Sequence, residues 1–237
     1  MVHPTPNDIS FKFFGFPTTI QPFFWLIAAV ITALHLGHIN NDMPIWFTRL
    51  FLGMLGVLFS ILVHELGHAL TFRYVFRTPC AIVLHGFGGV AFPLQRYSRG
   101  YGFKGAMANG FLSFSGPLAG FVLAFATLVL FQMVPNDGSR AAMLLRDFLD
   151  WTALISIIWG FFNLLPVYPM DGGHISREFF LFFFPRRGIE FSLIVSMLTA
   201  ALLAVAALQS GNFFITFLFA YFAYQNYQEM TFGSFRR

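Results

Sequence analysis

Charge is what this sequence has least of. Only 10% of its 237 residues are Asp, Glu, Lys or Arg, against roughly 25% in an ordinary soluble domain. Scarce charge excludes a conventional soluble fold, because 57% of the residues are hydrophobic and Phe alone contributes 35. One core of this size cannot hide so much apolar surface. Cysteine is almost absent as well. Cys80 stands alone, so no internal disulfide can form and the fold does not depend on oxidation. Basic runs with interleaved aromatics are missing, which excludes a nucleic-acid interface. The net charge of +4 reflects few acids rather than a basic patch. Low-complexity tracts and internal repeats are also lacking.

What remains is apolar sequence in six blocks: about Pro22 to Gly37, Ile45 to Tyr74, Ala108 to Val134, Leu144 to Leu165, Ile189 to Leu208 and Phe213 to Tyr227. A helix needs about 20 apolar residues to cross a bilayer. The expected fold class is therefore an all-α polytopic membrane protein with about six transmembrane helices, forming a single integral membrane domain over residues 1–237. Residues 1–21 contain only Lys12 as a strong base and lack the basic start of a secretory signal, so the first block is expected to be retained. With six spans, all Lys and Arg except Arg49, Arg140 and Arg146 fall on the side holding both termini. That side is expected to be cytoplasmic, and a bacterial inner membrane is the expected location.

The long loop after the second block holds Ala81 to Phe92, with β-branched residues around Gly86, Gly88 and Gly89. It reads as a β-hairpin at the membrane surface. An open strand edge there can accept an extended peptide as an added strand, which makes these glycines candidate substrate-binding residues. His85 within it reads as structural.

The second block carries His64-Glu65-Leu66-Gly67-His68. Positions four apart share one face of a helix, so both imidazoles can reach one metal. Zinc favours imidazole nitrogen and, in catalytic sites, keeps a position open for water. Glu65, beside the first ligand, can take a proton from that water. Ionisable groups inside an apolar helix are costly, and a metal relieves the cost. The best third ligand is Asp171, which follows Asn163-Leu-Leu-Pro-Val-Tyr-Pro-Met. Pro166 and Pro169 must break the helix before it, and Gly172 and Gly173 allow a tight turn beside the carboxylate. His174 reads as a turn residue, Asp147 and Asp150 as solvated interfacial groups, and Gly116 with Gly120 as a small-xxx-small packing pair.

His64-Glu65-x-x-His68 on one span, with Asn163-x-x-Pro166-x-x-Pro169-x-Asp171-Gly172 after another, resembles the site-2 protease family of intramembrane zinc metalloproteases. Ser115-Gly-Pro-Leu-Ala-Gly120 and the hairpin after the first motif are similar to that family too. The resemblance implies zinc held by His64, His68 and Asp171, Glu65 as the catalytic base, and Asn163 steadying the oxyanion or the substrate backbone. It implies peptide hydrolysis within or near transmembrane segments of membrane-protein substrates. Many relatives carry PDZ or CBS domains, for which this chain has no room. Two other classes compete. A metal-binding transporter predicts further polar residues along a route through the last two blocks, which offer only Ser192, Ser196, Thr199 and Thr216. A silent partner-binding relative would be expected to lack Glu65 or a ligand.

Overall fold

The structure, a computed structural model, describes residues 5–37, 42–97, 100 and 102–233. Arg99, Arg236 and Arg237, used above for orientation, lie outside the described residues. Among the described residues, seven helices and four strands occur in the order β1 (Ile9–Phe13), β2 (Phe16–Ile20), α1 (Pro22–Leu36), α2 (Met43–Tyr74), β3 (Cys80–His85), β4 (Gly88–Pro93), α3 (Gly102–Met133), α4 (Arg140–Asn163), α5 (Asp171–Phe183), α6 (Gly188–Gln209) and α7 (Phe213–Phe232). Six helices coincide with the six apolar blocks. Of these, α2, α3 and α6 are long and apolar enough to cross a membrane, and α1 is a shorter apolar helix.

Two elements differ from the sequence expectation. The β-structure is a four-stranded sheet rather than one hairpin. β1 and β2 pair antiparallel, β2 and β3 parallel, and β3 and β4 antiparallel, with β1 and β4 at the edges. Phe16, Thr18 and Ile20 alternate inward from β2 and pack in the same sheet as buried Ile82 and Leu84 of β3. This period of two was present in the sequence, and a left-handed Phe14-Gly15 turn closes the hairpin. The second difference is α5, which forms where a turn was expected.

The chain divides into two compact units, residues 1–97 with 115–160 and residues 98–114 with 161–237. In the first, α2 starts at Asp42, whose carboxylate accepts from the Ile45 N–H at 3.2 Å. α2 then interlocks with α1 and with α4 through small residues. A Cβ on Gly53 would stand 2.2 Å from Thr32 Cγ2, and one on Gly56 2.9 Å from Thr152 Oγ1. Polar bonds hold the contact: Trp151 Nε1 donates to the Gly53 carbonyl at 3.1 Å, and Ser60 Oγ lies 3.1 Å from the Thr152 carbonyl and 3.0 Å from Ser156 Oγ. In an apolar solvent, such close approach and hydrogen bonding replace the hydrophobic drive between helices. Asp147 is more than a solvated group, since it pairs with Arg49 at 2.9 Å. In the second unit, Val167 and Met170 join Ala200, Ala204 and Phe219 in one buried cluster, which fastens the segment before α5 onto α6 and α7.

Candidate metal centre

The C-terminal half of α2 is its most buried part and carries the first motif. His64, Glu65 and His68 are 2%, 4% and 9% exposed. One helical turn apart, the two imidazoles turn toward the same point, with Nε2 to Nε2 at 3.3 Å and ring centroids 5.0 Å apart. Two nitrogens bound tetrahedrally at about 2.0–2.1 Å from one zinc would be separated by about 3.3 Å. The observed spacing meets that requirement. His64 and His68, both in the first unit, thus each offer a ligand nitrogen to one metal ion.

Space for the imidazoles is supplied by a glycine. A Cβ on Gly116 of α3 would stand 2.2 Å from His68 Nε2 and 2.7 Å from His64 Nε2. Gly67, inside the motif, makes the same helix contact from the other side, its Cβ direction ending 2.2 Å from the Ser115 carbonyl oxygen. Gly120 differs, meeting only the Ser156 carbonyl at 3.6 Å, an ordinary contact. The pair read from sequence as uniform packing is thus split: Gly116 makes the hole in which the histidine rings sit.

Asp171 is the first residue of α5, following Met170 at the N-cap. A helix N-terminus favours an ionised carboxylate. Gly172 and Gly173 permit the preceding loop to fold back on this turn. Their Cβ positions would lie 2.1 Å from the Leu164 carbonyl oxygen and 2.4 Å from the Tyr168 nitrogen. His174 lies in the first turn of the helix, its N–H donating to the Met170 carbonyl at 3.1 Å. Asn163 is the last residue of α4.

The sheet reaches the motif through β4. A Cβ on Gly89 would meet Glu65 Cγ at 2.4 Å, and Gly88, at φ 121°, lies against the Trp159 ring. Gly86 sits in the turn and faces Phe23 of α1. His85 closes that turn by accepting from the Phe87 N–H through Nδ1 at 3.2 Å. Burial pushes its pKa below the ordinary value, which keeps the ring neutral for that role.

Cys80 is a buried donor to the Ala69 carbonyl at 3.5 Å. Burial raises its thiol pKa to about 11, with Arg73 opposing. At pH 8 only roughly a thousandth is thiolate. The folded protein should therefore resist iodoacetamide for hours at pH 8 and be alkylated stoichiometrically once denatured. Rapid alkylation in the folded state, read by intact mass, would contradict the burial.

Comparison with known proteins finds similarity over parts of the chain. Peptidase family M50 matches residues 131–206, the stretch with Asn163 and Asp171. The chain is 28% identical over 167 residues to the zinc metalloprotease MJ0392 of Methanocaldococcus jannaschii, covering 70% of this chain and 43% of that protein. It is 30% identical over 129 residues to the putative zinc metalloprotease Rip3 of Mycobacterium tuberculosis, covering 54% of this chain and 30% of that one. The chain thus spans less than half the length of these curated relatives. Its fold is similar to that of the site-2 protease from Methanocaldococcus jannaschii, with a TM-score of 0.59 at 22% identity over 94% of this chain and 95% of the other. The family match covers one stretch of the chain, and the solved structure shows a similar fold.

Proposed function

We propose that the protein is an intramembrane zinc metalloprotease that hydrolyses peptide bonds within or near transmembrane segments of other membrane proteins. The observation that carries this reading is the buried His64–His68 pair, with Nε2 atoms 3.3 Å apart and Glu65 buried beside the first of them; Asp171 is the third ligand of this reading. The donor set, two imidazoles and a carboxylate, suits a catalytic zinc with an open position.

Bound zinc would polarise the scissile carbonyl and bring the pKa of its water to about 7. Glu65 takes the proton of the attacking water and passes it to the leaving amine. Asn163 steadies the oxyanion or the substrate backbone. A helical substrate hides its carbonyls in its own hydrogen bonds and must be held extended. The edge strand β4, whose Gly89 packs on Glu65, supplies a backbone to pair with. The six apolar helices serve as spans, with the sheet at the membrane surface and the Lys- and Arg-rich side in the cytoplasm.

The purified protein should carry about one zinc per chain and cleave members of a panel of transmembrane peptides. Cleavage should stop on removal of zinc by 1,10-phenanthroline and return on adding it back, with metal content followed by mass spectrometry. Full zinc occupancy with every peptide intact would count against proteolysis and for a transport or binding role.

A further inference from the structure

The backbone of Tyr168, three residues before Asp171, is held at both of its polar groups by buried side chains. Its N–H donates to Ser196 Oγ of α6 at 2.7 Å, and its carbonyl accepts from Asn226 Nδ2 of α7 at 2.7 Å. Ser196 and Asn226 are each 0% exposed. The flanking Val167 and Met170 are packed onto the same two helices. The ring of Tyr168 is gripped from α5 instead: the Arg177 guanidinium lies 4.2 Å over its centroid, and the His174 ring meets it edge-on at 4.9 Å. Tyr168 thus joins α6 and α7 by its main chain to the first turns of α5 by its side chain. The absence of a Cβ on Gly173 lets the Tyr168 backbone sit directly on that turn. Asp171, which opens α5, lies three residues beyond this doubly held peptide.

We infer that Ser196 and Asn226 are positioning residues that fix the direction in which Asp171 presents its carboxylate to the metal. The inference rests on the assignment of Asp171 as a ligand. The plainer alternative is that they only satisfy backbone groups at membrane depth, which would support the fold without regard to the ligand.

The two roles separate in a thermodynamic cycle. Zinc release from the detergent-solubilised full chain is timed by capture with a chromogenic chelator, and cobalt-substituted protein is examined by visible absorption. Asp171→Asn should speed release by about a hundredfold, and Ser196→Ala and Asn226→Asp each by about tenfold. Ser196→Thr, which keeps the hydroxyl, should restore slow release. In the Asp171→Asn background neither change should add anything, and both single variants should alter the cobalt bands. If Asp171→Asn itself leaves release unchanged, the ligand assignment fails and the inference falls with it. If Asp171→Asn accelerates release while Ser196→Ala and Asn226→Asp do not, or their effects multiply with it, only the positioning role is overturned. Loss of folding in both zinc-free variants would also overturn it, since the clamp would then serve the unit as a whole.

Discussion

Replacing Glu65 by Gln should reduce peptide hydrolysis by about a thousandfold while leaving zinc content unchanged, because general acid–base catalysis commonly supplies about 10²–10⁴-fold. Gln has the same shape, so it preserves packing but cannot take a proton. The packing leaves little room for a substitute base. Glu65 is 4% exposed, and Gly89 of β4 closes so tightly on its side chain that even a methyl group there would overlap it. Single-turnover cleavage of a transmembrane peptide, measured alongside zinc by mass spectrometry, gives the two readouts. Near-normal cleavage by Glu65→Gln would remove Glu65 from the chemistry. Loss of zinc together with cleavage would make it a supporting group of the metal.

The second large effect belongs to a residue with no reactive atom. Gly116→Ala should weaken zinc binding by more than about a hundredfold, the scale seen when the surroundings of a metal ligand are disrupted. The added Cβ would lie 2.2 Å from His68 Nε2 and 2.6 Å from His68 Cε1. The obstructing atoms belong to rigid rings, so the imidazoles must rotate away from their shared point. Helix propensity runs the other way, since Ala is favoured over Gly by about 1 kcal/mol inside a helix. That gain offsets part of the overpacking cost of about 1–3 kcal/mol, so the zinc-free variant should lose far less in melting temperature than in zinc affinity. Gly120→Ala, four residues on, makes the same propensity change beside an ordinary 3.6 Å contact, and it should leave zinc affinity intact. Equal effects from the two would show that helix packing, not imidazole space, sets the requirement.

These two predictions mark how much of the centre was legible in the sequence. The His64–Glu65–His68 arrangement could be read because helical spacing alone puts positions four apart on one face. Asp171 was proposed from the prolines that must break the helix before it and the two glycines that follow. Gly116 could not be separated from Gly120, because what faces a glycine is decided by a neighbouring helix and not by its own local sequence. The hairpin at β3 and β4 was visible from its β-branched residues and glycines. The parallel pairing of β2 with β3 was not, since α1 and α2 intervene. The strand β2 did carry a local signal, the inward alternation of Phe16, Thr18 and Ile20. α5 was obscured at its start, where Gly172 and Gly173 are poor helix formers, although Ile175, Phe179 and Phe183 recur at helical spacing beyond them.

The length of two helices has a consequence for the surrounding lipid. α2 and α3 are 32 residues each, which at about 1.5 Å per residue is about 48 Å, well beyond a hydrocarbon slab of about 30 Å. As spans they must slant or protrude. A slanted rod turns a change in slab thickness into a change of angle, and the histidines ride on one such rod. Acyl-chain length thereby becomes a mechanical input to the depth at which the imidazoles sit.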